Sequence, residues 1–231
     1  MKLKNKLQGK CFLFLLLLGC SNGVFAQDIK EDLSDFSEIK VYNGVEVELI
    51  PSEENRISIT GHSKEKVKFE VVENRLEIKL SLENIWSDDN TLVTVFANSL
   101  ETIDANEGSI VDVKKELEAS SLNFRAQEGA AIYVGVNSSR VNVKAITAGI
   151  VQIKGKTDDL DVEVNTGGKF FGEQLKSKEA EVSVGTGGQA DVHASEYLKA
   201  TAKLGGVINV YGNPDELDSK TTLGGKILKE N

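Results

Sequence analysis

The chain has 231 residues, 40% of them hydrophobic and 27% charged, with 21 glycines, two prolines and two cysteines. This composition excludes disordered and collagen-like classes, and the length suits a single β-rich domain with a core of its own. A formal net charge of −9 argues against nucleic acid as a partner, because phosphate binding needs a basic surface that releases counterions.

Residues 1–26 read as a secretory signal peptide. Lys2, Lys4, Lys6 and Lys10 precede an apolar run from Cys11 to Leu18, and Val24-Phe25-Ala26 offers small residues for cleavage. No stretch here or later approaches the ~20 apolar residues of a membrane helix, so no transmembrane segment is expected in the mature chain. Leu17-Leu18-Gly19-Cys20 also resembles a bacterial lipobox, which would make Cys20 a lipidated N-terminus. Cleavage after Ala26 is preferred, because the GVFAQ that follows Cys20 is too apolar for a polar tether. Removing the signal takes away four lysines and no acid, leaving 23 basic residues against 36 acidic ones, a net charge of −13. Both cysteines leave with it, so no thiol nucleophile or thiolate metal site is expected in residues 27–231. The expected location is the periplasm, the outer membrane or the exterior.

Residues 27–100 contain alternating runs that read as strands: FSEIKVYNGVEVELIP, RISITG, VKFEVVENRLEIKLSL and TLVTVFA. Glu73-Asn74 is the expected corner of a hairpin. The role expected of this segment is to start the following structure and cover its first coil, where bare strand edges would be exposed. Trp86, in ENIWSDDN, is a candidate contact for a sugar or a partner protein; its plainer reading is packing over the first sheet.

From residue 101 to 231 the sequence repeats. A pair of small residues recurs as Gly108-Ser109, Gly129-Ala130, Ala148-Gly149, Gly167-Gly168, Gly187-Gly188, Gly205-Gly206 and Gly224-Gly225, at steps of 21, 19, 19, 20, 18 and 19 residues. Apolar residues recur in register on both sides. Six before each second member stand Ile103, Phe124, Val143, Val162, Val182, Ala200 and Ser219; two after it stand Val111, Ile132, Val151, Phe170, Ala190, Ile208 and Ile227. Their period-two alternation with polar residues predicts strands buried on one face. The reading is a parallel β-solenoid of about seven coils of 18–21 residues, with corners at Gly108, Gly129, Gly149, Gly168, Gly188, Gly206 and Gly225. Glycine suits such corners because φ > 0 costs it nothing and stacked corners leave little room for Cβ atoms. An antiparallel meander could use the same GG signals, but matching interior residues from coil to coil favours stacking.

These residues also carry a family resemblance. The exported N-terminus, FSEIKVYNGVEVELIPSEENRISITG, VENRLEIKL, LETIDANEGSIVDV and coils such as LKATAKLGGVINVYGNPDEL ending in LGGKIL together resemble the putative auto-transporter adhesin, head GIN domain family, over about Phe36 to Leu228. The resemblance implies a right-handed β-helix-like solenoid in a Bacteroidota-type exported protein, with no enzymatic activity attached. One departure from an auto-transporter is expected: three residues follow Leu228, which leaves no room for a membrane β-barrel.

Little in the sequence suggests chemistry. His62 lies in a GHSKEK loop and His193 is expected to point outward. Sugar-cleaving enzymes can be β-helical, so an acid pair among Asp88-Asp89, Asp158-Asp159 and Asp191 is the enzymatic alternative. That alternative predicts two carboxylates about 5–9.5 Å apart in a groove, whereas a plain scaffold predicts a smooth face without clustered acids. GGQAD at Gly187–Asp191 resembles a calcium-roll repeat but occurs once and lacks its third glycine. No cofactor is expected. The partners expected are an unidentified cell-surface glycan or envelope protein, with self-association through the solenoid ends as a further option.

Overall fold

The computed structural model describes residues 28–81 and 91–230; residues 1–27 with Cys20, and Asp88-Asp89 and Trp86, lie outside the described residues. Among the described residues seventeen strands share one sheet. In chain order they are β1 (Ile29–Asp32), β2 (Glu38–Val41), β3 (Glu46–Pro51), β4 (Arg56–Thr60), β5 (Val67–Val72), β6 (Arg75–Leu80), β7 (Leu92–Ala97), β8 (Thr102–Ala105) and β9 (Ile110–Val113). There follow β10 (Leu117–Gln127), β11 (Ala131–Ile146), β12 (Ile150–Asn165), β13 (Lys169–Val184), β14 (Gln189–Lys203), β15 (Val207–Tyr211), β16 (Glu216–Thr222) and β17 (Lys226–Lys229).

The strands β10 to β14 each pair in parallel with the next, offset by one coil, and β14 then pairs with β15 and β16. Parallel, one-coil-offset pairing makes a β-solenoid and rules out the meander of hairpins. The expected columns are Cα partners: Ile103, Phe124, Val143, Val162, Val182, Ala200 and Ser219 follow one another across the stack. All but Ser219 are buried. On the opposite face Val111, Ile132, Val151, Phe170, Ala190 and Ile208 do the same. Phe170 is the bulkiest member, and space is made for it by Gly172, where a Cβ would lie 2.4 Å from the Phe170 ring, and by Ala190 in the next coil.

The parallel stack extends into the segment before residue 100. Strands β2 and β3 pair in parallel with β8 and β9 on one side and with β6 and β7 on the other. Between β2 and β3, Asn43 and Gly44 take φ of 58° and 69°, the same corner found in the later coils. The 19-residue period does not reveal this coil, because the chain of β4 to β7 is inserted before the next coil begins at β8. At this end β4 runs antiparallel to β7, β1 to β4 and β5 to β6. These antiparallel strands occupy edges of β7 and β6 that would otherwise be open to pairing. Glu73-Asn74 does join β5 to β6, with Glu73 at φ 56°.

Candidate functional site

One edge of the solenoid is a column of tight corners. In each, two consecutive residues have φ > 0, from Glu107-Gly108 (53°, 72°) through Thr166-Gly167 (49°, 72°) to Leu223-Gly224 (48°, 81°). Each turn is closed by an N–H three residues on, such as Gly168 N–H donating to Asn165 C=O at 3.0 Å. This is the type I′ pattern. Non-glycine residues in the left-handed region cost about 1–2 kcal/mol each, and neighbouring corners offset the cost by bonding together: Gly167 N–H donates to Thr186 C=O at 3.0 Å and Gly187 N–H to Leu204 C=O at 3.1 Å. The structure divides the expected reason for glycine between the two positions of each pair. Gly108 and Gly129 hold φ > 0, as do Gly167 and Gly187, whereas Gly149, Gly168, Gly188, Gly206 and Gly225 do not. The last five are needed for close approach: a Cβ on Gly168 would stand 2.0 Å from the Ala145 carbonyl oxygen, and one on Gly188 2.8 Å from a Val164 methyl. With backbone packed on backbone, this edge has little room for a ligand.

The opposite edge turns inside the long strands. There the chain bends around an inward column of small side chains, Ser138, Thr157, Ser177 and Ala194, all buried and in register. The three hydroxyls bond backbone carbonyls, two residues on for Ser138 and Thr157 and in the next coil for Ser177. Ser138 Oγ donates to Arg140 C=O at 2.9 Å, Thr157 Oγ1 to Asp159 C=O at 3.0 Å and Ser177 Oγ to His193 C=O at 2.8 Å. A buried hydroxyl column was not read from the sequence, although the spacing of Ser138, Thr157 and Ser177 was visible there. Outside it lies an open groove of about 600 Å³ crossing β10 to β14, with Lys156, Lys176, Lys178, Asn137, Ser139 and Ser195 in its walls. It is the candidate site.

The predicted acids are brought into this neighbourhood but are engaged. Asp158 accepts Lys178 Nζ at 2.7 Å and Asp159 accepts Arg140 at 3.1 Å. Asp191 sits apart, 7% exposed, accepting from Gln189 Nε2 at 3.1 Å and Asn209 Nδ2 at 2.6 Å. His62 is exposed and His193 half-buried beside Tyr211 in the next coil. The face is not smooth, contrary to expectation for a plain scaffold. Stacking puts Asp161 in register with Glu181 and Asp159 with Glu179, a strip of acids around a shallow depression of about 320 Å³. Crowding by neighbours, then Glu181 and Glu163, raise the Asp161 carboxyl above its ordinary value, with Lys144 opposing. Among the described residues no three His, Cys, Asp or Glu side chains are grouped to hold a metal ion. One further acid escaped the sequence reading: Oε2 of Glu173 is buried without a hydrogen-bond partner.

Comparison with known proteins gives the fold a family. Residues 35–214 match the family described as "Putative auto-transporter adhesin, head GIN domain". The chain belongs to this family. A putative adhesin from Bacteroides fragilis superposes with a TM-score of 0.79 at 16% identity, over 89% of this chain and 98% of that one. A putative adhesin from Parabacteroides distasonis gives 0.72 at 18% identity, over 88% and 96%. A protein from the same species described as a putative lipid binding protein gives 0.66 at 14% identity, over 89% and 96%. At these identities the likeness establishes the head GIN fold and nothing finer. No protein of curated function matches the chain. Among the described residues no helix is long and apolar enough to cross a membrane.

Proposed function

We propose that this head GIN protein is an exported, non-catalytic scaffold of the cell envelope or surface, which binds a glycan or an envelope protein through its outer face. The observation that carries the reading is the pairing of the candidate acids: Asp158 and Asp159 face Lys178 and Arg140. A general acid must reach the glycosidic oxygen, and each of these carboxylates is instead engaged by a cation at 2.7–3.1 Å. Family membership and the rigid stacked core support the same conclusion. Export rests on the N-terminal signal, with cleavage after Ala26 and lipidation at Cys20 as the two processing routes.

The test is capture by the chain from Gln27 on intact cells and on a glycan array, with protease treatment of the cells to locate the protein. Specific, saturable capture of a glycan or envelope protein is expected, and its absence on both would overturn the reading. One observation favours the alternative of a polysaccharide-cleaving enzyme, the raised Asp161 carboxyl in its acidic strip. Asp161 keeps an exposed side chain, which is weak ground for a catalytic acid. Release of new reducing ends from a polysaccharide, abolished by Asp161→Asn, would establish the enzyme.

A further inference from the structure

We infer that the groove over the buried hydroxyl column binds a short acidic oligosaccharide segment, with Lys156 and Lys176 taking its carboxylate or sulfate groups. The inference rests on the proposed binding role and names the ligand class and the residues.

Lys156 and Lys176 are Cα partners in adjacent coils, so like charges stand directly opposite one another across the ladder, an arrangement that destabilises a sheet. At several other rungs opposite charges meet: Lys144 faces Glu163 at 3.1 Å, Arg140 faces Asp159 at 3.1 Å and Glu181 faces Lys199 at 2.7 Å. Where bases stack on bases, as Arg125 on Lys144 and Lys68 on Lys79, one member of the pair is bridged to an acid, Lys144 to Glu163 and Lys79 to Glu70. Where acids stack on acids, an adjacent cation compensates, as Arg140 does for Asp159 and Lys199 for Glu181. Among the described residues neither Lys156 nor Lys176 has a carboxylate within 4.0 Å, and both side chains are exposed. Lys178, beside them, is occupied by Asp158. The groove also holds Glu118, but that acid lies two coils from Lys156, across Asn137, so the groove offers two adjacent cations with no carboxylate bridged to them in a mature chain whose net charge is −13.

Its geometry and lining select the ligand. The groove crosses five strands, roughly 19 Å at the ~4.8 Å strand spacing, which accommodates a few sugar residues. One coil advances by about the length of one sugar residue, so acid groups on successive residues can meet Lys156 and Lys176 in register. Asn137, Ser139 and Ser195 add donors and acceptors suited to sugar hydroxyls. Among the described residues no aromatic side chain lines the groove, so charge is the main source of selectivity there. The strongly acidic chain opposes a long polyanion, but charges more than about 8 Å away are largely screened at physiological salt, so a short segment is favoured.

The experiment titrates the chain from Gln27 with a tetragalacturonate, its methyl-esterified neutral counterpart, a sulfated oligosaccharide and inorganic polyphosphate. The charge-removing variants are Lys156→Gln/Lys176→Gln in the groove and Lys226→Gln/Lys229→Gln in the last coil. Expected is binding of at least one acidic oligosaccharide, weakened tenfold or more by the groove variant and by added salt, and unchanged by the last-coil variant. Equal loss in both variants, or polyphosphate binding as tightly as the sugars, would overturn the assignment by exposing unspecific charge attraction. Binding of the neutral ester alone, or of a glycan or protein unaffected by the groove variant, would overturn the inference and leave the binding role standing. Failure of every glycan and of cell capture would remove the binding role itself. Matching circular dichroism and melting of all variants would show that the fold is not what changed.

Discussion

The two edges of the solenoid reverse the chain by different means. At the corner edge the turn is made by backbone: paired left-handed residues, a closing bond within each turn and a bond to the next corner. At the return edge side chains take part, with Ser138 and Thr157 bonding carbonyls two residues on and Ser177 bonding a carbonyl of the next coil. A backbone edge tolerates little variation, since Cβ atoms at Gly149, Gly168 and Gly225 would lie 2.0–2.2 Å from carbonyl oxygens. A side-chain edge leaves its outer positions free. The difference teaches that one edge holds the stack together and the other can carry recognition, as in scaffolds that place variable groups on a rigid frame.

The largest effect is expected in the core both edges enclose. Val162→Asp or Val182→Asp puts an unpaired charge at a site 1% exposed, and should cost more than about 4 kcal/mol and abolish the folded circular dichroism signal. At the corner edge, Gly168→Val should cost about 3 kcal/mol or more, because backbone must move, whereas Gly167→Ala should cost only about 1 kcal/mol, since Ala148 already holds φ 61° in the equivalent position. Equal thermal melts for these two would break the division of labour within the glycine pair. At the return edge, Thr157→Val keeps shape but leaves the Asp159 carbonyl without its hydroxyl, and a loss of about 1–2 kcal/mol in denaturant melts is expected. No loss would mean that the hydroxyl column is dispensable there.

The smallest effect concerns the acidic strip. The Asp161 carboxyl is raised in the folded state, so folding favours its protonated form. Its contribution is therefore present at low pH and lost as pH rises through the carboxylate range. Asp161→Asn should stabilise by less than about 0.5 kcal/mol at neutral pH and give no gain below the carboxylate range. A gain at low pH would contradict the assigned cause.

The seven corners and the columns of Ile103, Phe124, Val143 and Val162 were legible in the sequence because stacking demands the same small or apolar residue at the same step of every coil. Local chemistry of that kind repeats, and repetition is visible in one dimension. The coil of β2 and β3 was not legible, since an inserted antiparallel cap separates Asn43-Gly44 from the next corner and only pairing in space restores the period. Nor did sequence separate the glycines that need φ > 0 from those that need room, because clearance depends on a carbonyl one coil away. The site was legible in composition but not in place. Lys156, Lys176, Asp159 and Glu179 are ordinary surface residues until coil stacking sets them opposite one another, and which charges are compensated is decided only by neighbours about 19 residues distant along the chain.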